Sequence, residues 1–283
     1  LIMLDLRDKL IELGAESLAD ALLDLATQFD DVDAKVRHIV ATPSEKLKKI
    51  KAKLSGLKRS YRYIDWREAP SFSRKLENLL AELGQSVDDA KIGMDLVVQF
   101  FECDIAIFER CDDSSGMIGD IFRIDACQLF AKFAKQWQDK SALEDRIVIL
   151  LSCNDYGVRD DLLDEAVDYL PEKNLKNLAE KFWQLAVNEP EKFQQTSWYN
   201  YVEELAHHLL DAPLFEKARM ASSAKLGSAA CNDIAEIYLK VGEAQIALEW
   251  MDKDKEPGYF QADKRDRLLQ EIYTKLGKND KVT

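Results

Sequence analysis

The sequence predicts an all-α chain, an α-solenoid of antiparallel helix pairs. Three observations predict it. Apolar residues return every three or four positions along nearly the whole chain, the spacing that lines one face of a helix. Glycine and proline number 11 and 6 in 283 residues, too few for the many tight turns of an all-β fold. No alternating run stands out as a strand.

The first segments, 4–13, 15–28 and 32–40, are helical by this periodicity. Pro43 opens the next, since proline is tolerated in a first helical turn; over 43–56, Leu47, Ile50, Leu54 and Leu57 step by 3, 4 and 3. A helix at 66–83 follows. Ile92, Leu96, Phe100, Cys103, Ile107 and Cys111 then step by 4, 4, 3, 4 and 4, predicting one long helix over 88–110. Ile118, Phe122, Ala126, Leu129, Phe133 and Trp137 repeat those steps and predict another over 119–138. Both should be core elements. Further helices are expected at 141–153, 158–169, 172–187, 197–210, 213–224, 228–241, 243–252 and 261–276. Pro171 and Pro213 stand at two of their starts, and Gly84, Gly157, Gly227, Gly242 and Gly277 stand near ends or connections.

Composition narrows the class. Hydrophobic residues make up 47%, enough for a sizeable core, and charged residues 32%, too many for a membrane protein. A net charge of −13 argues against non-specific binding to nucleic acid or to an anionic membrane. No apolar stretch reaches the ~18 residues of a spanning helix. The chain begins with Leu, and Asp5, Arg7, Asp8 and Lys9 interrupt any signal-peptide core. The five cysteines are odd in number, form no C-x-x-C and include no pair closer than eight residues. Reduced thiols in a cytoplasmic protein are the expectation.

One internal repeat stands out. Ile237-Tyr238-Leu239-Lys240-Val241-Gly242 recurs as Ile272-Tyr273-Thr274-Lys275-Leu276-Gly277, 35 residues on. Ile234 and Tyr238 are large first-helix positions, Gly242 marks the turn, Ala247 is small where two helices touch, and Met251 is large again. This resembles the tetratricopeptide repeat, whose period is ~34 residues, over 230–283. Asp254 departs from the small residue that repeat places there, and the second copy is cut short after Val282.

Three further segments carry a second resemblance: Tyr63-Ile64-Asp65-Trp66-Arg67-Glu68-Ala69; Asp112-Asp113-Ser114-Ser115-Gly116 with Ile118-Gly119-Asp120; and Asp155-Tyr156-Gly157-Val158-Arg159-Asp160. In this order, ahead of the tetratricopeptide-like tail, they look like a bacterial family of helical-repeat proteins known only as a domain of unknown function. The resemblance spans roughly 60–280. It implies an α-solenoid and a bacterial source, and no activity. Pro70 departs from the first motif, where a helix normally runs on, so the helix is expected to restart or kink there.

The candidate chemistry lies in these segments and in a basic island. Asp112, Asp113, Ser114, Ser115 and Asp120 offer oxygens to Ca²⁺ or Mg²⁺, but an EF-hand alignment on Gly116 puts Cys111 and Phe122 at ligand positions. A helix–helix turn with Asp120 near a helix start is the competing reading. In the third segment Asp155, Tyr156, Arg159 and Asp160 give a similar choice: Arg159 could clamp a carboxylate or phosphate, or pair with a nearby Asp and fix a turn. If both acidic turns share one edge, they could line one groove. Residues 44–62 hold Lys46, Lys48, Lys49, Lys51, Lys53, Lys58, Arg59 and Arg62 against Glu45 alone, with Tyr61, Tyr63 and Trp66 following. This is an ordinary solvated helix face, a surface for an acidic partner or an intramolecular acidic surface, or a grip on nucleic acid. Glu204-x-x-His207 is half of a di-iron pattern without a second half. Phe182, Trp183, Trp198, Tyr199, Tyr201 and Trp250 form either core or a binding surface.

The chain therefore divides into an N-terminal helical subdomain (1–60) and a solenoid (61–283). No catalytic residue, metal ligand or cofactor is assigned. The leading function is a non-enzymatic scaffold for an unidentified protein or peptide, with Lys48, Lys49, Lys51, Lys53, Arg59, Trp66, Asp112, Asp113, Asp120, Asp155, Tyr156, Arg159 and Asp160 as candidate contacts. The alternatives are a metal-dependent enzyme or metal-binding protein using the turns at 112–120 and 155–160, and nucleic-acid binding through 43–62.

Overall fold

Helix follows helix through the residues that the computed structural model describes, 2–222, 226–254 and 261–278. The first are α1 (Ile2–Glu12), α2 (Gly14–Gln28), α3 (Asp30–Val40), α4 (Pro43–Arg59), α5 (Ala69–Ser86), α6 (Ala90–Phe101) and α7 (Asp104–Phe108). Next come α8 (Met117–Asp120), a π-helical turn (Ile121–Ala126), α9 (Cys127–Gln136), α10 (Lys140–Ser152), a 3₁₀ turn (Asp160–Leu162) and α11 (Ala166–Tyr169). The series closes with α12 (Glu172–Asn188), α13 (Lys192–His208), α14 (Ala212–Ser222), α15 (Ser228–Lys240), α16 (Ala244–Lys253) and α17 (Ala262–Lys275). Successive helices pack antiparallel, α12 on α13 and so on to α17, which makes the fold an α-solenoid. Among the described residues, β-pairing is confined to one isolated parallel bridge, Ile64 with Cys111.

Two apolar clusters run through the stack. The larger extends from Ile50 of α4 to Ala218 of α14; the smaller extends from Ala206 of α13 to Ile272 of α17. Helices α1–α3 pack on one another, and none of the side chains described over 6–40 is buried. The aromatics Phe182, Trp198, Tyr199, Tyr201 and Trp250 are all buried, so they are core.

Helix starts follow local chemistry. Thr42 accepts the Glu45 N–H at 3.3 Å and donates its own N–H to Glu45 at 2.8 Å. This capping box, with Pro43 next to it, opens α4. Pro70 falls in the first turn of α5, so it begins that helix instead of kinking it. In the tail, Gly242 and Gly277 adopt φ of 91° and 70°. The next N–H reaches back to Tyr238 and Tyr273 respectively, each at 2.9 Å. Both copies of the repeat thus end one helix in the same Schellman turn. The part of the second copy after Lys278 lies outside the described residues.

Two expected helices are corrected. The run 88–110 breaks after Phe101, and 158–169 becomes the 3₁₀ turn and α11. One residue accounts for both. Arg159 donates to the carbonyls of Phe101 and Leu150, each at 2.9 Å, so it caps the C-terminal ends of α6 and α10 together. Its own N–H is taken by the Asn154 side chain, 3.1 Å away, which holds this stretch of backbone in a turn.

Candidate binding groove between α4 and α5

The basic helix α4 carries two different faces. Ile50 and Leu54 are buried in the main core, while Lys48, Lys49 and Lys51 are exposed and make no ion pair among the described residues. Lys53 reaches Glu82 of α5, and Lys58 pairs with Glu102 at 3.1 Å. Arg59 turns back onto the Ser55 carbonyl at 3.1 Å.

Between α4 and α5 lies a cavity of about 510 Å³, within the size range of ligand sites. Leu57, Ile64, Phe72, Leu76 and Leu79 give it apolar walls. Gly56 opens it: a Cβ added there would meet no atom within 4 Å. The charged side chains lining it are Lys53, Arg62, Lys75, Arg110 and Glu68. Glu68 is taken by Arg62, and Lys53 by Glu82. Lys75 and Arg110 make no ion pair with a carboxylate among the described residues.

Arg110 is the unusual member. It is 8% exposed. The bridge between Ile64 and Cys111 draws residue 110 against the extended segment after α4, with the Ile64 N–H donating to the Arg110 carbonyl at 2.8 Å. The guanidinium donates to the Arg62 carbonyl at 3.2 Å and, at the limit of a hydrogen bond, to that of Leu57 at 3.5 Å. It lies 5.5 Å from the Phe72 ring centre. Nε has neither a partner nor contact with water. Burial holds its pKa below the usual arginine range. The neighbouring thiols of Cys103 and Cys111 are pushed up to about 11 by burial, so they stay neutral and compensate nothing. The partial negative charge at the end of α4 and the ring of Phe72 are what it has instead.

Arg159 shows the contrast. It is buried still more deeply, and its Nε and Nη2 donate to the two oxygens of Asp104, each at 2.8 Å. Charge and donors are satisfied internally, and the partner is not the nearby Asp expected from sequence but one on α7.

With this geometry in view, comparison with known proteins adds a family. Residues 6–227 match a family of unknown function (DUF6880). The chain belongs to that family. The match begins well before the resemblance seen in the sequence and ends before α15, so the tetratricopeptide-like tail lies beyond it. No curated protein and no solved structure matches.

In this family member the other candidate residues fall outside the groove. Tyr156 packs at a tilt on Phe108 of α7, ring centres 4.9 Å apart, and Asp120 acts electrostatically on Asp161. The carboxylates of the acidic turns have local work. Asp112 accepts the N–H and hydroxyl of Ser114 at 3.1 and 2.5 Å. Asp113 caps α8 through the N–H groups of Ile118 and Gly119, at 3.0 and 2.8 Å. Asp120 lies 3.4 Å from Arg123. Asp160 accepts from Tyr201 and Asn154, each at 2.7 Å. Asp155 is exposed. Among the described residues no group of three or more His, Cys, Asp or Glu is placed to hold a metal ion. Glu204 pairs as an ion with His208 at 3.0 Å, not with His207. Among the described residues, no helix is long and apolar enough to cross a membrane.

Trp66, in the segment between α4 and α5, is 55% exposed, with the Arg67 guanidinium 4.6 Å above its ring. Tyr61 and Tyr63 are 96% and 60% exposed. Sequence reasoning missed Gly56, Phe72, Lys75 and Arg110 as site residues. The available signal for Arg110 is its spacing, three residues after Ile107 on an apolar stripe, which sets a cation on a buried face.

Proposed function

We propose that this protein is a non-catalytic helical-repeat scaffold that binds an acidic protein partner through the α4–α5 face. One observation carries the reading. Helix α4 carries a row of cations, three of them without an ion pair among the described residues, its Lys53, Gly56 and Leu57 wall an apolar cavity, and exposed aromatics stand in the segment that follows it. Tyr and Trp are favoured interface anchors, and a cationic rim speeds and selects encounter with an acidic surface.

The test places a photo-crosslinking phenylalanine analogue at Trp66 in the full chain and irradiates it in a cell lysate. The expected result is a crosslinked protein of acidic surface that is lost in the Lys48→Glu, Lys49→Glu, Lys51→Glu triple variant. The same adduct in the triple variant would overturn the reading. Crosslinking to nucleic acid, weakening steeply with salt, would replace it with the nucleic-acid alternative.

A further inference from the structure

We infer that the cavity between α4 and α5 is a receptor for a short acidic peptide segment carrying one bulky apolar side chain, with Arg110 and Lys75 receiving its carboxylates. This rests on the scaffold reading above and names the part of the partner that the groove accepts.

A charge taken out of water must be paired or hydrogen-bonded, or it destabilises the fold. This chain meets that requirement at Arg159 with a bidentate carboxylate and two carbonyls. At Arg110, buried almost as deeply, it offers two carbonyls at 3.2 and 3.5 Å and no carboxylate among the described residues. A guanidinium has five N–H donors in one plane, so donors remain for an anion brought from outside. Lys75 on α5 lines the same cavity and has no ion partner among the described residues.

The remaining lining selects what carries the anion. Leu57, Ile64, Phe72, Leu76 and Leu79 are apolar, and about 510 Å³ holds more than a lone carboxylate group. A free inorganic anion would leave those walls uncovered. A peptide with an aromatic or aliphatic residue between acidic ones satisfies walls and cations together. The absence of a side chain at Gly56 is what leaves room: the position lies within a helix, where glycine costs about 1 kcal/mol relative to alanine, and it faces open space.

The test uses the full chain and a fluorescein-labelled peptide containing Glu-Glu-Phe-Glu, read by fluorescence anisotropy. Its comparison is the Gln-Gln-Phe-Gln peptide. Wild type is expected to bind the acidic peptide, and the amide peptide about tenfold more weakly or worse. Gly56→Phe, which fills the cavity from a position where no core atom stands in the way, is expected to weaken the acidic peptide about tenfold or more. Lys75→Glu should do the same. Thermal unfolding of both variants should match or exceed wild type, which separates a plugged cavity from an unfolded one. Equal binding of both peptides, undiminished binding by folded Gly56→Phe, or no binding by wild type at millimolar concentration would each overturn the inference. The two proposals fail separately. A partner crosslink lost in the triple lysine variant but retained in Gly56→Phe would sink the cavity and leave the scaffold standing.

Discussion

Replacing each of the two buried arginines by methionine should have opposite consequences for stability. Arg159→Met removes four hydrogen bonds, two to Asp104 and one each to Leu150 and Phe101. It leaves Asp104, which is 0% exposed, as a carboxylate without its counter-charge. Breaking a buried pair in this way costs about 3–5 kcal/mol, a fall in Tm on the order of 10 °C for a chain of this size. Arg110→Met removes one hydrogen bond at 3.2 Å and one at the 3.5 Å limit, with no carboxylate left behind. Methionine keeps a contact with Phe72 and removes an uncompensated charge, so the loss should be about 1 kcal/mol or less. Differential scanning fluorimetry on the two variants, with Asp104→Leu/Arg159→Met as a third, measures the difference. The double variant should lose less than Arg159→Met alone, because no charge is stranded. If Arg110→Met is as damaging as Arg159→Met, Arg110 is a structural residue and the case for a ligand there collapses.

Four other outcomes follow from single positions. Gly93 packs against Phe133, and an added Cβ would stand 2.2 Å from the ring, so Gly93→Ala should cost about 3 kcal/mol by overpacking, while Gly56→Ala should raise Tm. Thr42→Ala breaks the capping box that opens α4 and should cost about 1 kcal/mol, read from urea midpoints. The pKa of His208 is raised, chiefly by the Glu204 carboxylate 3.0 Å from its ring. A raised folded-state pKa contributes stability that is complete below the ordinary imidazole value of about 6.5 and is lost as pH rises through the folded value. His208→Gln should therefore lower Tm at about pH 5.5 and lose that effect by about pH 9; an effect that grows with pH would refute the pairing.

Much of this fold is legible from local rules. The Thr42–Glu45 cap, the proline-opened helices and the twin turns at Gly242 and Gly277 depend on residues a few positions apart, whose chemistry a linear reading contains. So do the apolar stripes that become the two clusters. The long helix expected over 88–110 failed because its end is set by Arg159, more than fifty residues away, whose guanidinium claims the carbonyl of Phe101. Nothing near Phe101 in sequence announces that. The same reason divides the candidate site residues. That α4 has a basic face follows from the spacing of Lys48, Lys49 and Lys51. That Asp113 and Asp160 are engaged by backbone and tyrosine, that Arg159 is neutralised by Asp104, and that Arg110 is not neutralised by any described carboxylate are facts about neighbours brought together by folding. Burial and counter-charge are properties of a three-dimensional surrounding, so the sequence by itself determined which helices form and which face of α4 is cationic. Only the tertiary structure decided which of two similar arginines is left with donors to offer a partner.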